Sequence, residues 1–202
     1  MTYRNKFYVS FDNDSDVHYY WLIRAWQQGD GTKFDFYDAH DLNKTYNSSF
    51  QDALKQQLRA RIQNTRAFVV LIGERTRYLQ FVHWEIEDAL ALDLPIICVN
   101  LNGLRHRDII RCPAIINDNL SVHIGFNAVI LEHTLKTWPE RHHSLKQQGD
   151  SSPYFYKPAD YVRLGLETSD HGSRFESPAD SEDGFSKKIP LWERLPLLRR
   201  TK

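Results

Sequence analysis

The chain has 202 residues, of which 41% are hydrophobic, and its 26 lysines and arginines balance 26 aspartates and glutamates. This length accommodates one ordinary domain with a tail. A net charge of zero removes the overall positive field that a non-specific binder of nucleic acid or of an anionic membrane needs, so we expect neither partner.

Short apolar runs alternate with longer amphipathic ones, which predicts a parallel β-sheet covered by helices. Four or five such units with short first connections favour a flavodoxin-like, three-layer α/β sandwich with strand order 2-1-3-4-5. In chain order, the predicted elements are strand 7–11, helix 17–28, strand 34–37, helix 50–63, strand 67–72, helix 80–92, strand 95–101, strand 122–126 and helix 128–138.

The composition divides the chain into a domain, residues 1–145, and a proline-rich C-terminal extension, residues 146–202. The extension holds five of the eight prolines, which disfavours long regular elements. Aromatic residues at 154–156 and an apolar stretch at 189–198 predict short contacts with the domain or with a partner. We therefore expect the extension to be partly ordered.

Neither a metal nor a resident cofactor is expected from the motifs. Two cysteines cannot build a disulfide framework or a four-thiolate zinc site, and the nine histidines lack metal-ligand spacing. The glycines form neither a Walker motif nor a dinucleotide fingerprint. Polar first residues and the lack of an apolar run near ~20 residues predict a cytoplasmic protein.

The predicted strand order also predicts where a ligand binds. In open sheets of this kind the ligand crevice lies outside the carboxyl ends of the strands, here between the first and third strands. Its walls would be the loops 11–16 and 73–80, with the loop 38–49 alongside. Polar residues are concentrated in these loops.

Glu85 lies in the middle of the apolar face of helix 80–92, about one turn from its start. Partial desolvation near the crevice would raise the pKa of this carboxyl group, as at many functional sites. The alternative is a structural role, with a hydrogen bond from a backbone N–H or an ion pair with Arg75 or Arg77. Glu87 falls on the polar face and is expected to be exposed.

Three sequence pieces then follow one another in a recognisable order: FYVSF with an acidic loop, QNTRAFVVLIGERT, and FVHWEIEDAL. Through them, residues 5–140 resemble the TIR-like domains of bacterial anti-phage defence, in particular the Thoeris TIR protein family ThsB. The resemblance implies that Glu85 is catalytic, since catalytic TIR domains require a glutamate at this helix start. Many members place Trp where this chain has Phe81. The implied substrate-binding residues are Phe11, Asp12, Asn13, Asp38, His40, Phe81 and Trp84.

The activity implied by this resemblance is that of an NAD glycohydrolase or ADP-ribosyl cyclase, with NAD as substrate. Breaking the nicotinamide–ribose bond leaves positive charge on the sugar, which a carboxylate can stabilise. The nucleotide product, cyclic or linear, would act as a diffusible signal for a separate effector protein. The resemblance also implies self-association, with sites completed between subunits.

Three other functions are compatible with parts of the pattern. A TIR module that only assembles with other modules would use Trp21, Trp26, Trp84 and the extension as interface. A nucleoside deoxyribosyltransferase shares the use of a carboxylate against a sugar carbon but lacks this motif order. A phosphate-accepting receiver domain would need an aspartate at the end of the third strand, where this chain reads Leu71-Ile72-Gly73-Glu74.

Overall fold

The computed structural model describes residues 6–29, 35–38, 51–166 and 185–187, which contain seven strands and five α-helices. The strands are β1 (Lys6–Ser10), β2 (Asp35–Asp38), β3 (Ala67–Ile72), β4 (Ile96–Asn100), β5 (Ser121–Gly125), β6 (Pro153–Tyr156) and β7 (Phe185–Lys187). The helices are α1 (Val17–Gly29), α2 (Gln51–Ile62), α3 (Gln80–Ala91), α4 (Ala128–Gln147) and α5 (Pro158–Arg163).

The seven strands form one sheet in the order β2-β1-β3-β4-β5-β6-β7. Strands β1 to β6 pair in parallel, and β7 pairs antiparallel to β6. The first five strands therefore have the predicted order 2-1-3-4-5, which confirms the α/β flavodoxin-like fold class. The bounds of β1 to β5 and of α1 to α3 agree with the predicted ones to within one residue at each end.

Alternation along β1 sends its side chains into two separate cores, one on each face of the sheet. Phe7, Val9 and Phe11 belong to the cluster that contains residues of α1 and α4. Tyr8 belongs to the cluster on the other face, with residues of α2 and α3. Helices thus cover both faces, as a parallel sheet requires.

Helix α4 continues to Gln147, so the predicted end of this helix at Trp138 is wrong. Pro139 lies inside the helix and lacks the N–H that would complete one intrahelical bond. Beyond it, His142 and Leu145 are buried as Trp138 is. This burial stabilises the second half of the helix and outweighs the local cost of the proline.

The sheet extends past residue 145 through β6 and β7. The aromatic cluster predicted at 154–156 is part of β6: the Tyr156 hydroxyl lies 3.1 Å from that of Thr137, and the rings of Tyr154 and Trp138 are 5.9 Å apart. These residues therefore contact the domain. The division at residues 145 and 146 stays a prediction, and the stretch 189–198 lies outside the described residues. Among the helices that the structure describes, none has the length and apolar character needed to cross a membrane.

Candidate functional site

Glu85 lies on the inner side of α3, and only 1% of its surface is exposed. The Tyr8 hydroxyl donates a hydrogen bond to Oε1 of this carboxyl group, and the Ser10 hydroxyl donates to Oε2 at 2.5 Å. Positions 8 and 10 share a face of β1 because side chains alternate along a strand. Since Ser10 is the last residue of β1, the carboxyl group lies near the carboxyl end of that strand.

The electrostatic surroundings of Glu85 favour its neutral form. Burial raises the pKa of Glu85 to about 8, although the hydrogen bonds from Ser10 and Tyr8 act in the opposite direction. No ion pair to this side chain is present in the part of the chain that the structure describes. Its carboxyl group is therefore held by hydroxyl groups and changes charge close to neutral pH.

The two arginines considered as partners of Glu85 bind elsewhere. Arg77 donates a hydrogen bond to the backbone carbonyl of Ile110. Arg75 pairs with the carboxylates of Asp12 and Asp14. The structural role predicted for Glu85 had a backbone N–H or an arginine as the partner of its carboxyl group. The structure has two side-chain hydroxyls in that place.

Arg75 connects the two loops that were predicted to form the walls of the crevice. Its Nε lies 3.5 Å from Oδ2 of Asp12, and one of its terminal nitrogens lies 3.8 Å from Oδ2 of Asp14, both in the loop after β1. Oδ1 of Asp12 accepts the backbone N–H of Asp14 at 3.0 Å, which closes a tight turn. The loops after β1 and β3 are therefore neighbours at the carboxyl edge of the sheet.

Asp16 packs against Gly73, the first residue after β3. Only 6% of Asp16 is exposed, and a Cβ atom on Gly73 would lie 2.1 Å from its Oδ2, so only glycine leaves room for this carboxyl group. Two acceptor oxygens of the loop, Asn13 Oδ1 and Asp16 Oδ2, are buried without a hydrogen-bond partner, whereas the buried Oδ2 of Asp12 faces Arg75 at 3.5 Å. Buried acceptors of this kind are usually satisfied by water or a ligand, so a ligand with O–H or N–H donors fits here.

An Asp16→Asn variant is expected to be more stable than the wild type at pH 7 but not at pH 4. Burial, and then the charge of Asp12, raise the pKa of Asp16 from 3.8 to about 6. The folded state therefore holds the proton more tightly, and stability is lost as the pH rises through this range. We expect a gain of about 1 to 2 kcal/mol at pH 7 from the neutral amide. Urea unfolding of both proteins at pH 4 and pH 7 measures this difference in the free energy of unfolding.

The matched control is Asp118→Asn, which changes an exposed carboxylate to the same amide. It should leave the free energy of unfolding nearly unchanged at both pH values. An equal gain for Asp16→Asn at pH 4 and pH 7 would contradict the assigned cause, because it could not come from ionisation.

The structure brings some of the predicted substrate-binding residues to this edge and separates others from it. Asp12 and Asn13 lie in the loop after β1, just past Phe11, on the same edge as Glu85. Phe11 is buried in the opposite core, where its ring stacks on that of Tyr20 with centroids 5.1 Å apart. The structure thus does not bring Phe11 together with Glu85.

The remaining predicted residues lie on α3, on β2 or outside the described residues. Phe81 and Trp84 are half-buried near the start of α3, and Phe81 packs against the core that contains Tyr8. Asp38 is the last residue of β2, and His40 lies outside the described residues. Glu87 is exposed, as its place on the polar face predicted. Among the described residues, no group of three or more His, Cys, Asp or Glu side chains could hold a metal ion.

Sequence reasoning did not select Tyr8 or Ser10, and it placed Asp16 and Gly73 in the walls of the crevice without assigning either a role. The alternation of FYVSF carried a usable signal, because positions 8 and 10 must share one face. That face is the one opposite Phe7 and Phe11. The contact between Asp16 and Gly73 left no local signal, since it joins two loops far apart in the chain.

The comparison with protein families agrees with this architecture. Residues 8–106, about half of the chain, match the family model described as Thoeris protein ThsB, TIR-like domain. The matched range contains Tyr8, Ser10 and Glu85 and reaches from β1 past the end of β4. No curated protein matched the sequence. Residues 8–106 therefore form a TIR-like domain similar to that of the Thoeris ThsB family.

Proposed function

We propose that the protein is a TIR-type NAD-cleaving enzyme of bacterial anti-phage defence. In this proposal Glu85 is the catalytic residue, and the nicotinamide–ribose bond of NAD is the bond that breaks. The observation that carries it is a buried carboxyl group that accepts hydrogen bonds from two hydroxyls near the carboxyl end of β1. Such a desolvated carboxyl group at a ligand-binding edge is typical of functional sites.

Cleavage of this bond requires one negatively charged group close to the sugar and no general acid. When the bond between ribose C1′ and the pyridinium nitrogen breaks, its electron pair stays with nitrogen and nicotinamide leaves as a neutral molecule. Positive charge then develops on the sugar, and the ionised Glu85 carboxylate stabilises it. Water attack at C1′ gives linear ADP-ribose and a proton, whereas attack by a group of the same nucleotide gives a cyclic product.

Two features support NAD as the substrate of this edge. The sugar hydroxyls of a nucleotide can supply the donors that the buried oxygens of Asn13 and Asp16 lack. The positive pyridinium ring of NAD also favours the charged form of Glu85 when the two approach. Because Glu85 is covered in the structure, the proposal requires NAD to reach it from the Ser10 side, with displacement of side chains near the loop 11–16.

The released nucleotide is proposed to act as a diffusible signal for a separate effector protein. The match of residues 8–106 to the Thoeris ThsB family model supports this part of the proposal. The protein is further proposed to self-associate, with neighbouring copies completing each site. In that case an isolated monomer would turn over NAD slowly.

The near-complete burial of Glu85 favours a second candidate function. Both carboxyl oxygens are bonded to side chains of β1, so Glu85 also fastens α3 to the sheet. In a TIR module that only assembles with other modules, this fastening would be the whole role of Glu85. NAD turnover distinguishes the two candidates.

The deciding experiment incubates the purified full-length protein with NAD, alone and with an extract of phage-infected cells. Nicotinamide release is followed by chromatography and the nucleotide products by mass spectrometry, at several protein concentrations with size measured in parallel. Release that grows with the associated fraction is expected, together with an ADP-ribose-type product. No release under any condition would contradict the enzyme and support the assembly module. Full turnover by a pure monomer would contradict the proposal that neighbouring copies complete each site, and it would leave the NAD-cleaving activity supported.

A further inference from the structure

We propose that Tyr8 and Ser10 are positioning residues that fix the orientation of the Glu85 carboxyl group and control when it carries charge. The role in catalysis rests on the proposed function, whereas the control of charge can be measured without any turnover. Both residues belong to β1, and neither was selected from the sequence.

The three side chains form one hydrogen-bonded unit inside an apolar core. Tyr8, Ser10 and Glu85 are all at most 1% exposed. The Tyr8 ring stacks on that of Phe68 at a centroid distance of 5.5 Å and an interplanar angle of 9°, which fixes the direction of its hydroxyl. Since the two donors stand on one strand and hold different carboxyl oxygens, the carboxyl plane cannot turn without breaking a bond.

The two hydroxyls are also the groups that oppose the effect of burial on charge. Hydrogen bonds donated to a carboxylate favour its ionised form, whereas removal from water favours the neutral acid. When Glu85 takes up a proton, the oxygen that carries it becomes a donor, and the hydroxyl facing it must turn to accept. The charge of Glu85 and the directions of the two hydroxyls are therefore coupled.

Other titratable groups lie near Glu85, but the two hydroxyls are the groups that bond to its carboxyl oxygens. Asp88 lies on the same helix, where it disfavours the charged form, and its carboxylate is 3.9 Å from Arg59 of α2. Arg77, in the turn before α3, donates to the carbonyl of Ile110. On the strand and loop side, the thiols of Cys98 and Cys112 share the core with Tyr8. Among the described residues, none of these groups pairs with Glu85.

The test measures the pKa of Glu85 directly, by NMR of its side-chain carboxyl carbon in isotope-labelled full-length protein. Tyr8→Phe and Ser10→Ala each remove one donor with little change in shape. Each variant should raise the pKa of Glu85 by about one pH unit, because a hydrogen bond donated to a charged group favours the ionised form by at least the equivalent of about one pH unit. An unchanged pKa in both variants would overturn the inference.

Two matched controls remove similar hydroxyls elsewhere. Tyr154→Phe removes a hydroxyl that donates to the Asp150 carboxylate at 2.6 Å, and Ser121→Ala removes a buried hydroxyl of β5. Among the described residues, neither hydroxyl donates to Glu85, so the pKa of Glu85 should stay at its wild-type value. If the control variants raise the pKa of Glu85 as much as Tyr8→Phe and Ser10→Ala do, the shift reflects a general loss of packing and the inference fails.

Turnover separates this inference from the proposed function. If NAD is cleaved, the low-pH limb of kcat/KM should move upward in Tyr8→Phe and Ser10→Ala together with the measured pKa. A raised pKa without any NAD cleavage would support the control of charge and contradict the enzyme. Cleavage with an unchanged pKa would support the enzyme and contradict the role of the two hydroxyls.

Discussion

A Glu85→Gln variant is expected to release nicotinamide at less than about one hundredth of the wild-type rate. The amide keeps the shape of the side chain but carries no negative charge, so it cannot stabilise a positive sugar. Preorganised groups that face developing charge typically contribute a factor of a hundred or more to the rate. Nicotinamide release per mole of folded protein measures the effect.

The same Glu85→Gln variant is expected to be more stable than the wild type at high pH. Because the pKa of Glu85 rises from 4.5 to about 8 on folding, the wild type loses stability as the pH increases through this range. The loss is on the order of 3 to 5 kcal/mol above pH 8, and a neutral amide avoids it. Urea unfolding should therefore give similar stabilities at pH 5 and a clear advantage for the variant at pH 9.

Glu87→Gln is the matched control, since Glu87 lies on the same helix and is exposed. It should keep wild-type turnover and a wild-type dependence of stability on pH. Wild-type turnover by Glu85→Gln would remove Glu85 from the catalytic role. A stability difference that is the same at pH 5 and pH 9 would contradict the ionisation of a buried carboxyl group.

Trp138→Ala is expected to lower the free energy of unfolding by about 3 to 5 kcal/mol. Trp138 is fully buried on α4, where its ring lies 5.9 Å from that of Tyr154 on β6 and 6.1 Å from that of His142. Alanine leaves a cavity between the helix and the sheet, which the rigid strands cannot fill. Urea unfolding at neutral pH measures the loss.

The control for this prediction is Trp21→Ala on α1, where 56% of the side chain is exposed. Its cost should stay within about 0.5 kcal/mol, as for most surface substitutions. If Trp138→Ala cost no more than Trp21→Ala, the packing of α4 on β6 would contribute little to stability. Helix α4 would then need another explanation for its continuation past Pro139.

Sequence patterns located the elements between β1 and β5 because each of them carries a strong local signal. The run AFVVLI can only be a buried strand or buried helix, and its length of six residues favours the strand. Helix α3 has its apolar residues at helical spacing, which placed Glu85 on the buried side. Composition and periodicity therefore predicted the sheet order and the direction in which this carboxylate points.

Contacts between distant segments could not be predicted in the same way. The end of α4 depends on whether burial of His142 and Leu145 outweighs the bond lost at Pro139, and the sequence carries no measure of that balance. The partners of Glu85 come from a strand 75 and 77 residues away in the chain. The charges of neighbouring residues predicted an arginine as the partner of Glu85. In the folded protein its partners are hydroxyl groups of β1.

Strands β6 and β7 extend the sheet at the margin opposite β2, on the far side of β3 from β1. At about 4.8 Å between neighbouring strands, β6 lies roughly 14 Å from β3 along the sheet. Sequence changes at that margin can alter how firmly the fold holds together while the geometry beside Glu85 is preserved. The two margins of the sheet are thus separate targets for engineering: substitutions at β6 and β7 would adjust stability, and substitutions near β1 would adjust the surroundings of Glu85.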